Sequence, residues 1–340
     1  MSESRRKRGF RIVRYLIAVA ALGWLVSRGE WQSTANVLTD VSSFVVVVLM
    51  ALSVFGLLFR FLMWYGLLHY IKPVSYRTAA EIDLIVNFVN QLLPSQLSGR
   101  SLAPLLVSRR IGVDMGTAIG ITGVSTGLYA IVYGVVALLG IGVIFNRLST
   151  SILGLLGLST ALYVAAGVVV LAAGLNSSSV DGFVRRFEPW VRRLPRVGPR
   201  VAEVFNRIPE FTHQSMIVFG EILRSPRTIG LYLVGWIGSV ALFPTFRIAI
   251  LFEALGASFT PVVFLPAIII AAYSVTLLPL TPGGIGITEA TAAVVFVSLG
   301  VPYEIAASSV LVDRVIGVYG PALLGWYPMV RTNLSVPGLE

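Results

Sequence analysis

Charged side chains are rare in the apolar part of this chain, and those that occur there are the first candidates for chemistry. Arg60 lies in the otherwise uncharged run 41–71. Asp313 and Arg314 are adjacent in the last apolar segment, and Glu289 follows a stretch rich in proline and glycine. Charges within hydrocarbon are costly, and they usually pair or line a functional path. We therefore expect either buried ion pairs that fix helix packing or a polar cavity for an anionic group.

Several pairings of these charges are open. Either Arg60 or Arg314 can neutralise Glu289, and Asp313 is a further candidate partner. Adjacent side chains on a helix point about 100° apart, so Asp313 and Arg314 are expected to contact different neighbours. Arg247 is expected near the outer end of its apolar segment, and Glu81 and Asp83 are expected at the membrane interface.

Two stretches rich in proline and glycine interrupt apolar segments in the same way. They read LLPSQLSGRS at residues 92–101 and LLPLTPGGIG at residues 277–286, each with a glycine five residues after the first proline. Proline and glycine break helices, and the free N–H groups of a half-helix favour anions. The alternative is a kink that serves packing alone. Two matched breaks favour an anion site, with these candidates: Pro94, Gly99, Arg100, Pro282, Gly283, Gly284 and Gly286.

Three amide side chains precede the first break. Asn87 and Gln91 share a helix face at the i, i+4 spacing, and Asn90 lies beside them. Amides bind sugars or phosphates in some proteins and connect neighbouring helices in others. The sequence leaves both roles open, and Asn90 is kept as a candidate for binding the headgroup.

Most catalytic chemistry is excluded by what the chain lacks. It has no cysteine and only two histidines, His69 and His213, so disulfides, thiolate sites and histidine-built metal sites are not expected. Walker A, H-E-x-x-H and G-x-S-x-G patterns are also missing. We therefore expect no cofactor, no bound metal and no enzymatic activity.

Composition identifies the class of protein. Hydrophobic residues make up 56% of the 340 residues, charged residues only 12%, and the mean hydropathy is +0.85. Soluble domains carry roughly 25% charged residues, so the sequence predicts an all-α protein with several membrane-spanning helices. The 26 basic residues exceed the 16 acidic ones, which indicates topology and contact with anionic lipids rather than nucleic acid.

Spanning a bilayer takes about 20 apolar residues, and this length predicts seven or eight membrane segments. The candidates are 12–27, 41–68, 116–145, 151–174, 228–251, 261–279, 285–300 and 304–329. The first follows a basic stretch and is interpreted as an uncleaved helix. A weaker amphipathic stretch covers 79–107.

The distribution of arginine and lysine predicts the orientation. The loops near 28–42, 146–150 and 252–260 hold only Arg28 and Arg147, so they are expected outside and both termini in the cytoplasm of a plasma-membrane protein.

Basic residues flank the first broken element, 79–107, on both sides, so it should enter the membrane and return. The second, 261–300, should either enter from the other side and return, or cross twice as two short spans. This arrangement predicts an inverted repeat with halves 1–174 and 228–340. The basic segment 175–227 between them is either a set of amphipathic interfacial helices or a solvated loop.

The stretch LLPLTPGGIGITEATAAVVFVSLGVPYEIAASSVLVDRVIGVYGPALLGW, residues 277–326, resembles the C-terminal signature of the lysylphosphatidylglycerol synthase transmembrane-region family. The match consists of L-P-x-x-P-G-G-x-G-x-x-E, a later G-V-P step and Arg314 in the last span. RFLMW at 60–64 and NQLLP at 90–94 resemble weaker elements of the same family. There are departures: Arg100 follows Gly99 where relatives often have glutamate, and Ala103 replaces an arginine. A changed charge pattern suggests a changed headgroup.

The resemblance implies a flippase-like role, moving a membrane lipid or a polyprenyl-phosphate-linked sugar between leaflets. Arg60, Arg100 and Arg314 would then meet the phosphate, with Glu289 balancing charge or carrying a proton. Two alternatives remain open. One is a lipid-modifying transferase with Glu289 or Asp313 as base, and the other is a membrane subunit for a separate glycosyltransferase or aminoacyl-transferase.

Overall fold

The described part of the chain is entirely helical in its regular structure. The computed structural model describes residues 42–92, 102–175, 214–278 and 280–331, and it contains helices and no strand within these ranges. Five of the helices are long and apolar enough to cross a membrane. The all-α, multi-pass membrane fold is therefore confirmed. The predicted span 12–27, the stretch 93–101 and most of the basic segment lie outside the described residues.

The helices are numbered here in chain order, with their bounds. They are α1 (Ser43–Ile71), α2 (Tyr76–Leu92), α3 (Ala103–Ile111), α4 (Met115–Ile144), α5 (Thr150–Leu175), α6 (Gln214–Leu223), α7 (Pro226–Ala254), α8 (Leu265–Tyr273), α9 (Ile287–Ser298) and α10 (Tyr303–Arg331). Two of the long helices contain a π-helical turn, at Ile237–Leu242 in α7 and at Val315–Tyr319 in α10.

Local sequence determines where the long helices begin. Ser42 caps α1 by accepting a hydrogen bond from the N–H of Val45 at 3.3 Å. Ser225 caps α7 in the same way, and Pro226 occupies the first helical position, where no N–H is needed. These ends agree to within a few residues with the segments predicted from hydropathy.

The second break separates two helices that are each short. α8 continues through a 3₁₀ turn to Leu277, and α9 has 12 residues. At 1.5 Å per residue, α9 is about 18 Å long, less than the roughly 30 Å of a hydrocarbon core. Between the two helices, Gly283, Gly284 and Gly286 have φ of 60°, 73° and 83°, a region that other residues avoid.

The two broken elements meet inside the bundle. The end of α2 packs against the second break, and a Cβ built on Gly283 would lie 3.1 Å from the Cα of Gln91. α2 also packs against the C-terminal part of α10. The described part of the first broken element thus contacts both the second break and the last span. The inverted repeat itself stays a prediction.

Candidate functional site

A cavity of about 180 Å³ lies between the two halves of the chain. Its walls come from α1, α2, α4, α7, α8 and α10, with one residue at the start of α3. Both π-helical turns contribute to the wall, through Ser239 and Gly317 among others, and π turns occur frequently at functional sites. One water molecule needs only about 10–15 Å³ on this measure, so the cavity has room for a small headgroup.

The first ion pair of the cavity joins α1 to α2. The Nε of Arg60 donates to an Oδ of Asp83 at 2.7 Å. Asp83 is 5% exposed, because α2 packs against α1 and against the second break. Its expected depth at the membrane interface stays a prediction.

The second ion pair joins α7 to α10. Arg247 and Asp313 approach to 2.7 Å, and the hydroxyl of Tyr273 donates to the other carboxylate oxygen at 3.0 Å. Arg247 lies seven residues before the end of α7, or about 10 Å along the axis, and is buried. Its expected position near the outer end of the segment stays a prediction. The guanidinium fits because Gly317 of the π turn has no side chain where it passes.

The third ion pair joins the second break to α10. Arg314 donates from Nε to Glu289 at 3.0 Å, and the Tyr319 hydroxyl donates to the same oxygen. The other oxygen of Glu289 accepts the N–H of Gly286 at 2.7 Å. Glu289 is fully buried and does not line the cavity; it holds Arg314, which does.

Aromatic rings complete the environment of Arg314. The guanidinium carbon lies 5.6 Å from the ring centre of Tyr273 and 5.2 Å from that of Tyr319, within the range of cation–π attraction. As expected from their positions on the helix, Asp313 and Arg314 contact different neighbours.

The three ion pairs leave unused donors. Within the described residues, three guanidinium groups are balanced by three carboxylates, yet the Nη2 atoms of Arg60 and Arg314 are buried without a hydrogen-bond partner. A buried donor left unsatisfied costs about 1–3 kcal/mol. A bound phosphate oxygen would satisfy these groups with charge-assisted hydrogen bonds.

A polar stripe of α2 lines the same cavity. Asp83, Asn87, Asn90 and Gln91 follow one another at helical spacing and all face it. One buried polar atom of each amide has no hydrogen-bond partner within the described ranges. The aromatic residues Trp64, Tyr129, Tyr133 and Tyr273 also line the cavity.

The residues proposed from sequence fall into three groups. Arg60, Asn90, Asp313 and Arg314 line the cavity. The second break and the first turn of α9 contain Pro282, Gly283, Gly284, Gly286 and Glu289. Outside the described residues are Pro94, Gly99 and Arg100.

Other cavity residues were not proposed from sequence. Arg247 and Asp83 could have been found, because each is a charge in or beside an apolar segment. Tyr273, which lines the cavity, carried no signal, since tyrosine is common in membrane helices. The same holds for Tyr319, which lies outside the cavity lining and bonds to Glu289. Among the described residues, no group of three or more histidine, cysteine, aspartate or glutamate side chains could hold a metal ion.

Comparison with known proteins gives two matches. The family model described as "Lysylphosphatidylglycerol synthase TM region" matches residues 11–325. A UPF0104 membrane protein from Pyrococcus horikoshii is 36% identical over 77 residues, which are 22% of this chain and 22% of that protein. The aligned part is thus about a fifth of either protein. No solved structure matches.

Proposed function

Because this chain belongs to the lysylphosphatidylglycerol synthase transmembrane-region family, we propose that it is a flippase-like protein that moves an anionic lipid or a lipid-linked sugar between leaflets. It would work in the plasma membrane, with both termini in the cytoplasm. The headgroup would occupy the cavity while the acyl or prenyl chains stay in the bilayer.

The observation that carries this proposal is the pair of unpartnered guanidinium nitrogens. Arg60 and Arg314 come from different halves of the chain, and both line one cavity. Each arginine already has one carboxylate partner, which stabilises its positive charge. One nitrogen of each guanidinium group still has no partner and can donate to a ligand. A phosphate between them would gain hydrogen bonds from both halves.

The broken elements supply a route for movement. Two short helices and a glycine-rich break can shift as units, whereas a continuous span cannot bend so easily. Since the end of α2 rests on Gly283, displacement of one broken element would move the other. Rocking of the two halves would then open the cavity to each side in turn.

The carboxylates favour a transporter over a transferase. Glu289 accepts hydrogen bonds from Gly286, Arg314 and Tyr319, and Asp313 accepts from Arg247 and Tyr273. A general base must have a lone pair within reach of the substrate proton. Glu289 does not line the cavity, and both oxygens of Asp313 already accept hydrogen bonds, from Arg247 and Tyr273, so a role in holding arginines accounts for both carboxylates.

The test is lipid movement in proteoliposomes made with the purified full chain. Acyl-labelled anionic phospholipids and a labelled polyprenyl-phosphate sugar would be followed by quenching of the outer leaflet. We expect movement by the wild type and rates at least tenfold lower for Arg60→Gln and Arg314→Gln, because a hydrogen bond to a charged group contributes about 1.5–3 kcal/mol.

The matched control is Arg77→Gln, which removes an arginine from an exposed pair with Glu81. Its rate should equal that of the wild type. If vesicles with the wild type move every lipid no faster than vesicles without protein, the proposal is refuted. Chemical conversion of a labelled lipid would instead indicate a transferase.

A further inference from the structure

The amide stripe of α2 is unused by the phosphate-binding role of the arginines. Asn87, Asn90 and Gln91 occupy positions i, i+3 and i+4, so they share one helix face, and all three line the cavity. Asp83 lies one turn before them on the same face. Three neighbouring amides in one cavity wall need a chemical explanation.

Helix packing does not provide that explanation. Amides that connect helices hydrogen-bond across the interface, and buried polar atoms in a packing role are expected to have partners. Here the Nδ2 of Asn87, the Oδ1 of Asn90 and the Oε1 of Gln91 are buried with no hydrogen-bond partner in the described part of the chain. The stripe therefore keeps hydrogen-bonding capacity that no described group of the chain uses.

Aromatic rings lie in the same cavity. Tyr129 and Tyr133 stack with ring centres 5.6 Å apart and planes inclined by 23°, and Trp64 adds a third ring. Aromatic faces pack against the C–H faces of a ring, while amides donate to and accept from hydroxyl groups. Together they suit a ligand that has an apolar face and many hydroxyls.

The charge balance limits the ligand further. Within the described residues the three guanidinium groups are offset by three carboxylates, so the cavity has little net charge to stabilise a multiply charged diphosphate. An ammonium headgroup would need a carboxylate, yet Asp83 and Asp313 already bond to arginines. A single phosphate is what two free guanidinium nitrogens can accommodate.

We propose that the cavity selects a lipid headgroup made of one phosphate and a polyhydroxylated group such as a sugar or a cyclitol. This rests on the proposed function and specifies its substrate. Arg60 and Arg314 bind the phosphate, and Asn87, Asn90 and Gln91 bind the hydroxyls.

The experiment compares three phospholipids with the same labelled acyl chains in proteoliposomes: phosphatidylinositol, phosphatidic acid and phosphatidylethanolamine. The wild type is expected to move phosphatidylinositol about tenfold faster than phosphatidic acid, because one or two added hydrogen bonds give about that factor. In Asn87→Leu and Asn90→Leu this ratio should fall toward one. Asn146→Leu, which alters an exposed asparagine outside the cavity, should keep the wild-type ratio.

Thermal unfolding separates recognition from folding. Leucine has the same number and branching of side-chain heavy atoms as asparagine and removes an unsatisfied polar group, so both cavity variants should unfold near the wild-type temperature or above it. A marked loss of stability in both would show that the amides hold helices together, and would overturn the inference.

The remaining outcomes are distinct. Movement of no lipid refutes the proposed function as well. Three outcomes refute this inference but not the proposed function. The first is equal rates for phosphatidylinositol and phosphatidic acid, and the second is a ratio of these rates that both leucine variants leave unchanged. The third is movement of phosphatidylethanolamine as fast as that of phosphatidylinositol. If free inositol 1-phosphate stabilises the protein while no lipid moves, the cavity binds a soluble sugar phosphate and the lipid assignment is wrong.

Discussion

The carboxylate of Glu289 and the guanidinium of Arg314 form a buried ion pair that connects the second break to the last membrane span. The two groups approach to 3.0 Å. The second oxygen of Glu289 accepts the N–H of Gly286 at 2.7 Å, so one side chain holds both a glycine in the break and an arginine of the cavity. Glu289 therefore links the backbone of the second break directly to an arginine that lines the cavity.

Neutralising Glu289 should destabilise the protein strongly. Glu289→Gln keeps an oxygen for the N–H of Gly286 but leaves Arg314 as a buried charge without its partner. Breaking such a pair costs about 3–5 kcal/mol. We expect a clear fall in the free energy of unfolding, measured in detergent by fluorescence of the six tryptophans.

Two comparisons isolate the charge. The double variant Glu289→Gln with Arg314→Met leaves no unpaired charge and should be more stable than Glu289→Gln alone. Arg77→Gln breaks a pair in which the arginine is 75% exposed, and should cost less than about 1 kcal/mol. Equal losses at the buried and exposed pairs would contradict the role given to Glu289.

A methyl group at Gly317 should disturb the second ion pair. A Cβ there would occupy the space of the Arg247 guanidinium, so Gly317→Ala must displace Arg247 from Asp313. Overpacking of this kind costs about 1–3 kcal/mol. We expect lower stability and slower lipid movement. Gly154→Ala, where a Cβ meets nothing within 4 Å, should be as stable as the wild type or slightly more. If Gly317→Ala were as stable as Gly154→Ala, the π turn would not be needed to make room for the Arg247 guanidinium.

The close approach of the two broken elements predicts a specific sensitivity at Gly283. Its φ of 60° strains any residue with a Cβ, and that Cβ would also meet Gln91. Gly300 has a φ of 95° but open space around it. Both alanine variants should lose about 1–2 kcal/mol from strain, and Gly283→Ala should lose more in thermal unfolding. Equal losses of stability in Gly283→Ala and Gly300→Ala would mean that the contact between α2 and the second break does not contribute to stability.

Hydropathy predicted the spanning helices well because their length and apolarity are local properties of the chain. The segments 41–68 and 151–174 correspond to α1 and α5, with ends that differ by a few residues. The break at 277–286 was equally visible, since proline and glycine act locally on the backbone.

The partners of the charges could not be predicted in the same way. In the sequence, Arg60 and Arg314 were equal candidates for the ion-pair partner of Glu289. Only the packing of α2 against α1 shows that Arg60 pairs with Asp83. The same packing buries Asp83, which its position in the sequence alone did not indicate. Long-range contacts decide such pairings, and one sequence does not contain them.

The cap of α4 should make stability depend on pH. Asp114 accepts hydrogen bonds from the hydroxyl and the N–H of Thr117 at 2.6 and 2.9 Å. These bonds, the side-chain one first, lower the pKa of Asp114 below its ordinary value. Because the folded pKa is the lower one, the stabilisation is present above the ordinary value of about 3.9 and is lost as the pH falls through the folded pKa.

Asp114→Ala should therefore cost roughly 1 kcal/mol near neutral pH and progressively less in acid. Thermal unfolding of both proteins across this pH range measures the difference. A difference that stayed constant down to the lowest pH would show that the carboxylate charge contributes nothing to the cap.

The absence of cysteine from the whole chain makes its orientation directly measurable. Single cysteines at Arg109, in α3, and at Asn146, after α4, fall at exposed positions at opposite ends of α4. The arginine and lysine distribution predicts that the first lies in the cytoplasm and the second outside. In intact cells, a membrane-impermeant maleimide should label Asn146→Cys but not Arg109→Cys, and both should react after permeabilisation. The reverse pattern would invert the proposed topology, and with it the side from which each broken element enters the membrane.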